Sequence, residues 1–270
     1  MSGRVTGMKV LQSRCGWEAQ TGLRLGRNGL TMGLCIVVVL GAGLRAYALD
    51  LQSLWTDEIS SLMITDPTLS FRQFWDRVLA DTHPPIYYLG LRWSSSAFGQ
   101  SEIVARAPSV LFGILTVCGA AILPGASLYR SSRVALPLLF AVSPGAVWYA
   151  REARSYALLL LLSTLITVAC IRLLRCMPRE GRAARGSLIM LSVAALLASF
   201  THYFGFLLTM AVFFTCFLLA DSRRRAIIVL TGGGVVASFA PSMVYHSRFI
   251  TGEQATWIGK LSVAASIHLV

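Results

Sequence analysis

The feature that most constrains the fold is a succession of long apolar segments separated by short polar ones. A helix needs about twenty predominantly apolar residues to cross the hydrocarbon core of a bilayer, and most of these segments approach or exceed that length. Since the backbone polar groups of a span must be satisfied inside the bilayer, the spans are expected to be helical. The sequence therefore predicts an all-α polytopic membrane protein with about seven transmembrane helices. The predicted spans cover residues 30–49, 104–128, 134–150, 155–174, 188–200, 204–220 and 226–245.

The charged residues set the expected orientation of these spans. The chain has 24 Lys and Arg against 12 Asp and Glu, a formal net charge of +12. In a soluble protein this excess would favour a nucleic-acid partner, but here the arginines lie in short turns between apolar segments, where they determine which side stays inside. We therefore expect no nucleic-acid partner. The sequence predicts a basic cytoplasmic tail over 1–29, a membrane-embedded module over 30–245 and an outer segment over 246–270.

Residues 50–103 are predicted to form one outer loop. Its last apolar segment, Ile86–Phe98, has 13 residues and contains Arg92. That is too short for a span, so we expect an interfacial or re-entrant helix. If it crossed the membrane, every arginine-rich turn after it would lie outside, against the positive-inside rule. Two further short amphipathic helices, over 59–64 and 71–80, are expected in the same loop at the membrane interface.

The outer loop also holds an unusual share of the carboxylates. Five of them lie between residues 54 and 88: Asp57, Glu58, Asp66, Asp76 and Asp81. The topology places cations of later segments at the same face. A carboxylate there can take a proton from a hydroxyl, arginine and histidine can bind a phosphate, and apolar grooves can hold a lipid tail. The pattern favours an enzyme that transfers a group from a lipid phosphate to a hydroxyl, with Asp66, Asp76 and Asp81 as solvated or capping residues.

Two other interpretations stay open. Asp57, Glu58 and His83 are candidate ligands for a divalent cation, but the sequence has no HExxH or paired-histidine spacing, so no metal is predicted to be required. A transporter would interrupt its spans with proline or glycine, and prolines do interrupt the apolar segments. The spans contain few acids, however, and the crowding of acids in one loop favours an enzyme. The interrupting prolines are Pro108, Pro124, Pro137 and Pro144.

Five short motifs carry a family resemblance. They are LWTDE at 54–58, HPPIYY at 83–88, GQSE with RAPS over 99–109, SP with YAREARSYA over 143–157, and THY at 201–203. In this order they resemble the membrane-embedded GT-C glycosyltransferases. The similar branch includes protein O-mannosyltransferases, lipid A aminoarabinose transferases and many bacterial homologues.

The resemblance implies an inverting transfer of sugar from a polyprenyl-phosphate donor to a hydroxyl of a protein, lipid or glycan. It also implies an active site on the outer face of a bacterial plasma membrane. Asp57 would be the general base, and Glu58 would shape the site or position the acceptor. Arg151, Arg154 and His202 would face the donor phosphate, and His83 would orient its loop or contact the phosphate. The matching motifs also contain Arg106, Glu152 and Tyr203, which are predicted to bind substrate.

The chain departs from the family at its end. Family members usually continue with further spans and often an outer C-terminal domain. This sequence is therefore expected to be a short or truncated member. For that reason a transporter or flippase, or a non-catalytic binding subunit for a lipid-linked substrate, stays an alternative function.

Overall fold

The computed structural model describes residues 27–127, 132–176, 182–220 and 222–250. The predicted tail up to residue 26, parts of the arginine-rich turns and residues 251–270 of the predicted outer segment lie outside the described residues. The described residues contain helices and no strand. In chain order the helices are α1 Arg27–Ala46, α2 Thr56–Ile64, α3 Phe71–Ala80, α4 Ile86–Phe98, α5 Glu102–Ser127, α6 Ser132–Val142, α7 Pro144–Ala150, α8 Tyr156–Cys176, α9 Arg182–Ser199, α10 Tyr203–Leu219 and α11 Ser222–Ile250.

The long helices coincide with the predicted spans. Within the described residues, α1, α5, α8 and α11 are each long and apolar enough to cross a membrane. Helices α6 and α7 make a fifth candidate if they are taken together, although the chain bends by 59° between them. Helices α9 and α10 are apolar but shorter. The all-α polytopic fold is thus confirmed, and the crossing of the bilayer by α9 and α10 stays a prediction.

The first outer loop folds into the short helices that the sequence predicts. Helix α3 begins with a capping box, in which the Ser70 hydroxyl accepts the Gln73 N–H and the Gln73 side chain accepts the Ser70 N–H at 2.9 Å. Helix α4 has the predicted bounds, and its Arg92 donates to the carbonyls of Asp66 at 2.7 Å and Leu69 at 2.6 Å. With 13 residues α4 is about 20 Å long, shorter than the hydrocarbon core. Its interfacial position stays a prediction.

A tight turn between α9 and α10 carries the THY motif. A Cβ atom at Gly205 would lie 2.2 Å from the carbonyl oxygen of Ala198, so the two helices approach this closely only with glycine there. The carbonyl of Phe200, in the same turn, accepts the Ile86 N–H at 3.1 Å. This bond places the HPP segment, which precedes α4, beside His202.

Candidate active site

Asp57 and Glu58 are adjacent in the first turn of α2 but have opposite environments. Glu58 is 1% exposed, whereas the Asp57 side chain is 53% exposed. Glu58 is the third residue of the helix, and its carboxylate accepts the Trp55 N–H at 3.3 Å, which closes the helix start. The positive end of the helix dipole also stabilises both carboxylates. The pair therefore divides into one buried and one solvent-facing acid.

Glu58 and Arg106 form a buried, two-pronged ion pair. The Arg106 guanidinium donates to the two Glu58 oxygens at 2.7 and 2.9 Å, and the Ala153 N–H donates to Glu58 at 2.8 Å. Burial raises the pKa of Glu58, but these hydrogen bonds outweigh it and the net pKa is lowered. Glu58 is therefore held as an anion that joins α2, α5 and the turn after α7.

Arg106 has no N–H group left for a substrate. Besides the Glu58 bonds, it donates to the carbonyls of Leu49, Gln52 and Ser53, which accounts for all five of its N–H groups. Its predicted role in substrate binding would need one of these bonds to break. The arrangement instead fits a residue that holds residues 49–53 against α5.

Arg154 lies between Asp57 and His83. Its Nη2 atom is 3.7 Å from the Asp57 carboxylate and 3.4 Å from the His83 Nε2 atom. The guanidinium also lies over the ring of Tyr156, 5.9 Å from its centroid. The Ser109 hydroxyl donates to the Arg154 carbonyl at 3.2 Å and so fixes its backbone. Arg154 thus presents a positive charge beside the exposed carboxylate.

Asp81 orients His83. One Asp81 oxygen accepts the backbone N–H of His83 at 2.9 Å, the His83 Nδ1 at 3.1 Å and the Tyr88 hydroxyl at 2.7 Å. Burial raises the pKa of Asp81, but these bonds lower it to about 2. With Nδ1 donating to Asp81, Nε2 is the acceptor that faces Arg154. Asp81 is predicted to be a solvated or capping residue; it lies at the C-cap of α3, and its carboxylate also holds the histidine.

His202 is the cap of α10 and joins the same cluster. Its Nδ1 atom accepts the Phe204 N–H at 3.1 Å, which leaves Nε2 as the protonated nitrogen of a neutral ring. The ring lies 5.6 Å from that of His83 and 5.8 Å from that of Tyr156, between centroids. Burial, with repulsion from His83 and Arg154, lowers the pKa of His202 to about 4. His202 is therefore neutral at pH 7.

This pKa gives a testable pH dependence of stability. Unfolded histidine has a pKa near 6.5, so between about pH 6.5 and 4 the unfolded state binds more protons at this position than the folded state. Stability should fall as the pH falls through that window. His202→Asn keeps a side chain that caps helices well but does not titrate. We expect its melting temperature to decline less than that of the unmodified protein; equal declines would contradict the assignment.

Two further predicted residues, Arg151 and Glu152, line a cleft of about 400 Å³ that Glu58 and Arg106 also line. Glu152 is 7% exposed, and burial raises its pKa. Arg151 donates to the Ala48 carbonyl at 3.2 Å. Tyr203 packs against Phe239 of α11 instead of lining this cleft. The cleft is lined by Leu44, Gln52, Trp55, Glu58, Arg106, Val142, Pro144, Val147, Trp148, Arg151 and Glu152.

The structure thus separates the predicted site residues other than Tyr203 into two groups. Asp57, His83, Arg154 and His202 form one cluster, and Arg151 and Glu152 lie at the cleft. The DTHPP sequence contained a signal for the Asp81 contact, since an aspartate two residues before a backbone N–H commonly accepts from it. In the described parts of the chain, no three His, Cys, Asp or Glu side chains are grouped as metal ligands.

Comparison with known proteins identifies the fold. No family model and no curated protein matches the sequence. The chain is similar to a solved structure of the S. cerevisiae protein O-mannosyltransferase Pmt1–Pmt2 complex, which is bound to the sugar donor. The TM-score is 0.60 with 16% identity, over 87% of this chain and 36% of that chain. This likeness shows a GT-C-like fold, as predicted, and the present chain spans little more than a third of its neighbour.

Proposed function

We propose that the protein transfers a sugar from a polyprenyl-phosphate donor to a hydroxyl acceptor at the outer face of the membrane, with inversion. The observation that carries the proposal is the exposed Asp57 carboxylate, 3.7 Å from the Arg154 guanidinium that also contacts His83. A base beside a cationic group is the pair that such a transfer needs. The likeness of the fold to that of an O-mannosyltransferase solved with its sugar donor supports it.

Each group has a defined task in the proposed reaction. Asp57 takes the proton of the acceptor hydroxyl as its oxygen attacks the anomeric carbon. The bond between that carbon and the phosphate oxygen breaks, and the phosphate leaves with the electron pair. Arg154 stabilises the charge that develops on the phosphate, and the neutral His202 donates a hydrogen bond to it. Asp81 keeps His83 turned toward Arg154, so that the guanidinium stays in place.

The cleft beside Glu58 offers room for a second substrate. Its volume of about 400 Å³ lies in the range of ligand sites, and two indoles, Trp55 and Trp148, line it. Arg151 and Glu152 supply hydrogen-bonding groups at its polar side. We assign Arg151 and Glu152 to substrate contacts on this side, while Arg154 and His202 serve the donor phosphate.

The proposed location is a membrane, with the active site on its outer face, and it is supported by the fold and the charge pattern. The apolar helices make the chain an integral membrane protein, in contact with lipids that also carry the donor. An inside N-terminus would place the cluster on the outer face, and the resemblance of the motifs supports a bacterial plasma membrane. The proposed reaction requires no metal and no nucleotide.

The function is tested by reconstituting the full chain in vesicles with a polyprenyl-phosphate-linked, isotopically labelled sugar. Candidate acceptors with protein, lipid and glycan hydroxyls are supplied separately. We expect label to appear on one acceptor, with release of polyprenyl phosphate. Movement of intact donor between leaflets without a covalent product would instead identify a flippase and would overturn the proposal.

A further inference from the structure

Arg45 is a buried cation that the proposed reaction does not use. It lies in the last turn of α1, within a candidate span, and is 0% exposed. A buried arginine in a membrane helix is costly unless its N–H groups find acceptors. Arg45 donates to the carbonyls of Gly41 at 3.0 Å, Ala141 at 3.0 Å and Phe140 at 2.8 Å. Two of these three acceptors belong to the last turn of α6.

Those two carbonyls need an external donor because of Pro144. In a continuous helix the Phe140 carbonyl would accept the N–H of residue 144, which proline lacks. The Ala141 carbonyl is also left at the helix end, since the axis bends by 59° between α6 and α7. Ala141 is fully buried, so water does not replace its hydrogen bond. The planar guanidinium reaches both carbonyls at once, and its charge complements the negative end of the α6 dipole.

Helix α5 is shaped to admit this guanidinium. A Cβ atom at Gly113 would lie 2.8 Å from the Arg45 Nε atom and 2.6 Å from the Cβ of Ala150. Neither approach leaves room for a side chain. Gly113 therefore lets Arg45 and the end of α7 pack against α5 together.

The bend also sets the position of the turn at residues 151–154, which carries the proposed substrate-binding residues. Helix α7 has only seven residues, and it leads directly into Arg151, Glu152 and Arg154. Arg151 donates back to Ala48, three residues after Arg45. The end of α1 thus holds both ends of α7, through Arg45 at its start and Ala48 after its end.

We propose that Arg45 is a positioning residue: its guanidinium stabilises the break between α6 and α7, and the break directs Arg154 toward Asp57. The stabilisation of the break stands on the contacts alone. Its consequence for turnover rests on the proposed function.

The test combines Arg45→Met with Pro144→Ala, which supplies the missing N–H to the Phe140 carbonyl. Arg45→Met should lower both the melting temperature and the rate of sugar transfer, the latter about tenfold or more, because the turn that carries Arg154 shifts. The double variant should recover about half or more of the loss in melting temperature, since neighbouring sites are coupled. Its transfer rate should stay low, because an uninterrupted helix directs the turn elsewhere.

The control is Arg92→Met, which removes two hydrogen bonds to backbone carbonyls, compared with three for Arg45→Met, and lies away from the break. The loss in melting temperature caused by Arg92→Met should add to that caused by Pro144→Ala, with no recovery when the two are combined. The proposal would be overturned if the losses in melting temperature of Arg45→Met and Pro144→Ala were additive. It would also be overturned if the double variant melted no higher than Arg45→Met. Recovery of transfer together with stability would reduce Arg45 to a stabilising residue and overturn its positioning role. The melting temperature can be measured without any transfer activity. If the unmodified chain showed no transfer, that result would count against the proposed function and not against the stabilisation of the break by Arg45.

Discussion

Replacing Arg106 with methionine is expected to destabilise the folded protein by about 3–5 kcal/mol, because the variant leaves a buried carboxylate unpaired. Glu58 is 1% exposed and would keep only the N–H groups of Trp55 and Ala153. Methionine fills much of the same volume, so the effect comes from the lost charge and N–H groups. The measurement is the melting temperature of the purified protein in detergent, together with the yield of monodisperse material.

Two variants separate the unpaired charge from the lost hydrogen bonds. Arg92→Met removes bonds of 2.7 and 2.6 Å to carbonyls but strands no carboxylate, so its cost should be smaller. Adding Glu58→Gln to Arg106→Met removes the stranded charge and should recover part of the stability. An Arg106→Met protein as stable as Arg92→Met would contradict the account of Glu58 as a buried structural anion.

Asp57→Asn is expected to lower the rate of sugar transfer by about 10²–10⁴-fold, the usual contribution of a general base. Asparagine has nearly the same shape but cannot take a proton. The melting temperature should hardly change, since the Asp57 side chain is 53% exposed and its contact with Arg154 spans 3.7 Å. A pair at this distance with one partner in solvent contributes little to stability.

The matched control for Asp57→Asn is Asp76→Asn, which makes the same change on the exposed face of α3. It should leave both transfer and stability unchanged. Glu58→Gln provides the opposite comparison, since its first effect should be on stability. Equal losses of transfer in Asp57→Asn and Asp76→Asn would point to the net charge of the outer loop instead of a base.

The helices were predictable because their start and stop signals are local. Helix α4 begins after two prolines and ends at Gly99, whose φ of 87° favours glycine. Helix α3 begins at a serine with a glutamine three residues later, a capping-box pattern. The apolar segments predicted the long helices in the same way, since length and composition are properties of the segment alone.

The break in the span over 134–150 could not be predicted from its proline alone. Pro108 also removes an N–H, yet α5 continues, and the carbonyl of Val104 that it leaves free accepts the Ser94 hydroxyl at 3.3 Å. The Phe140 carbonyl that Pro144 leaves free accepts from Arg45, 95 positions earlier in the chain. Whether a proline bends a span depends on which distant side chain reaches the freed carbonyl, and one sequence does not show that.

The roles of the acids could be predicted only in part, because they also depend on contacts between distant elements. The crowding of carboxylates predicted a site at this loop, and the fold places Arg154 beside Asp57, His83 beside Arg154 and His202 beside His83. Which of Asp57 and Glu58 is buried depends on which of them faces α5, where Arg106 forms the ion pair. The contact of Asp81 with Tyr88 depends likewise on how α3 meets α4.

The most direct test of the central claim compares donor binding and sugar transfer by the unmodified protein and Asp57→Asn in the same vesicles. Arg154 and His202, the proposed phosphate contacts, are intact in the variant. We therefore predict that it binds the polyprenyl-phosphate-linked sugar within about threefold of the unmodified affinity, while transfer to the acceptor is lost. Transfer at the unmodified rate by Asp57→Asn would contradict the account.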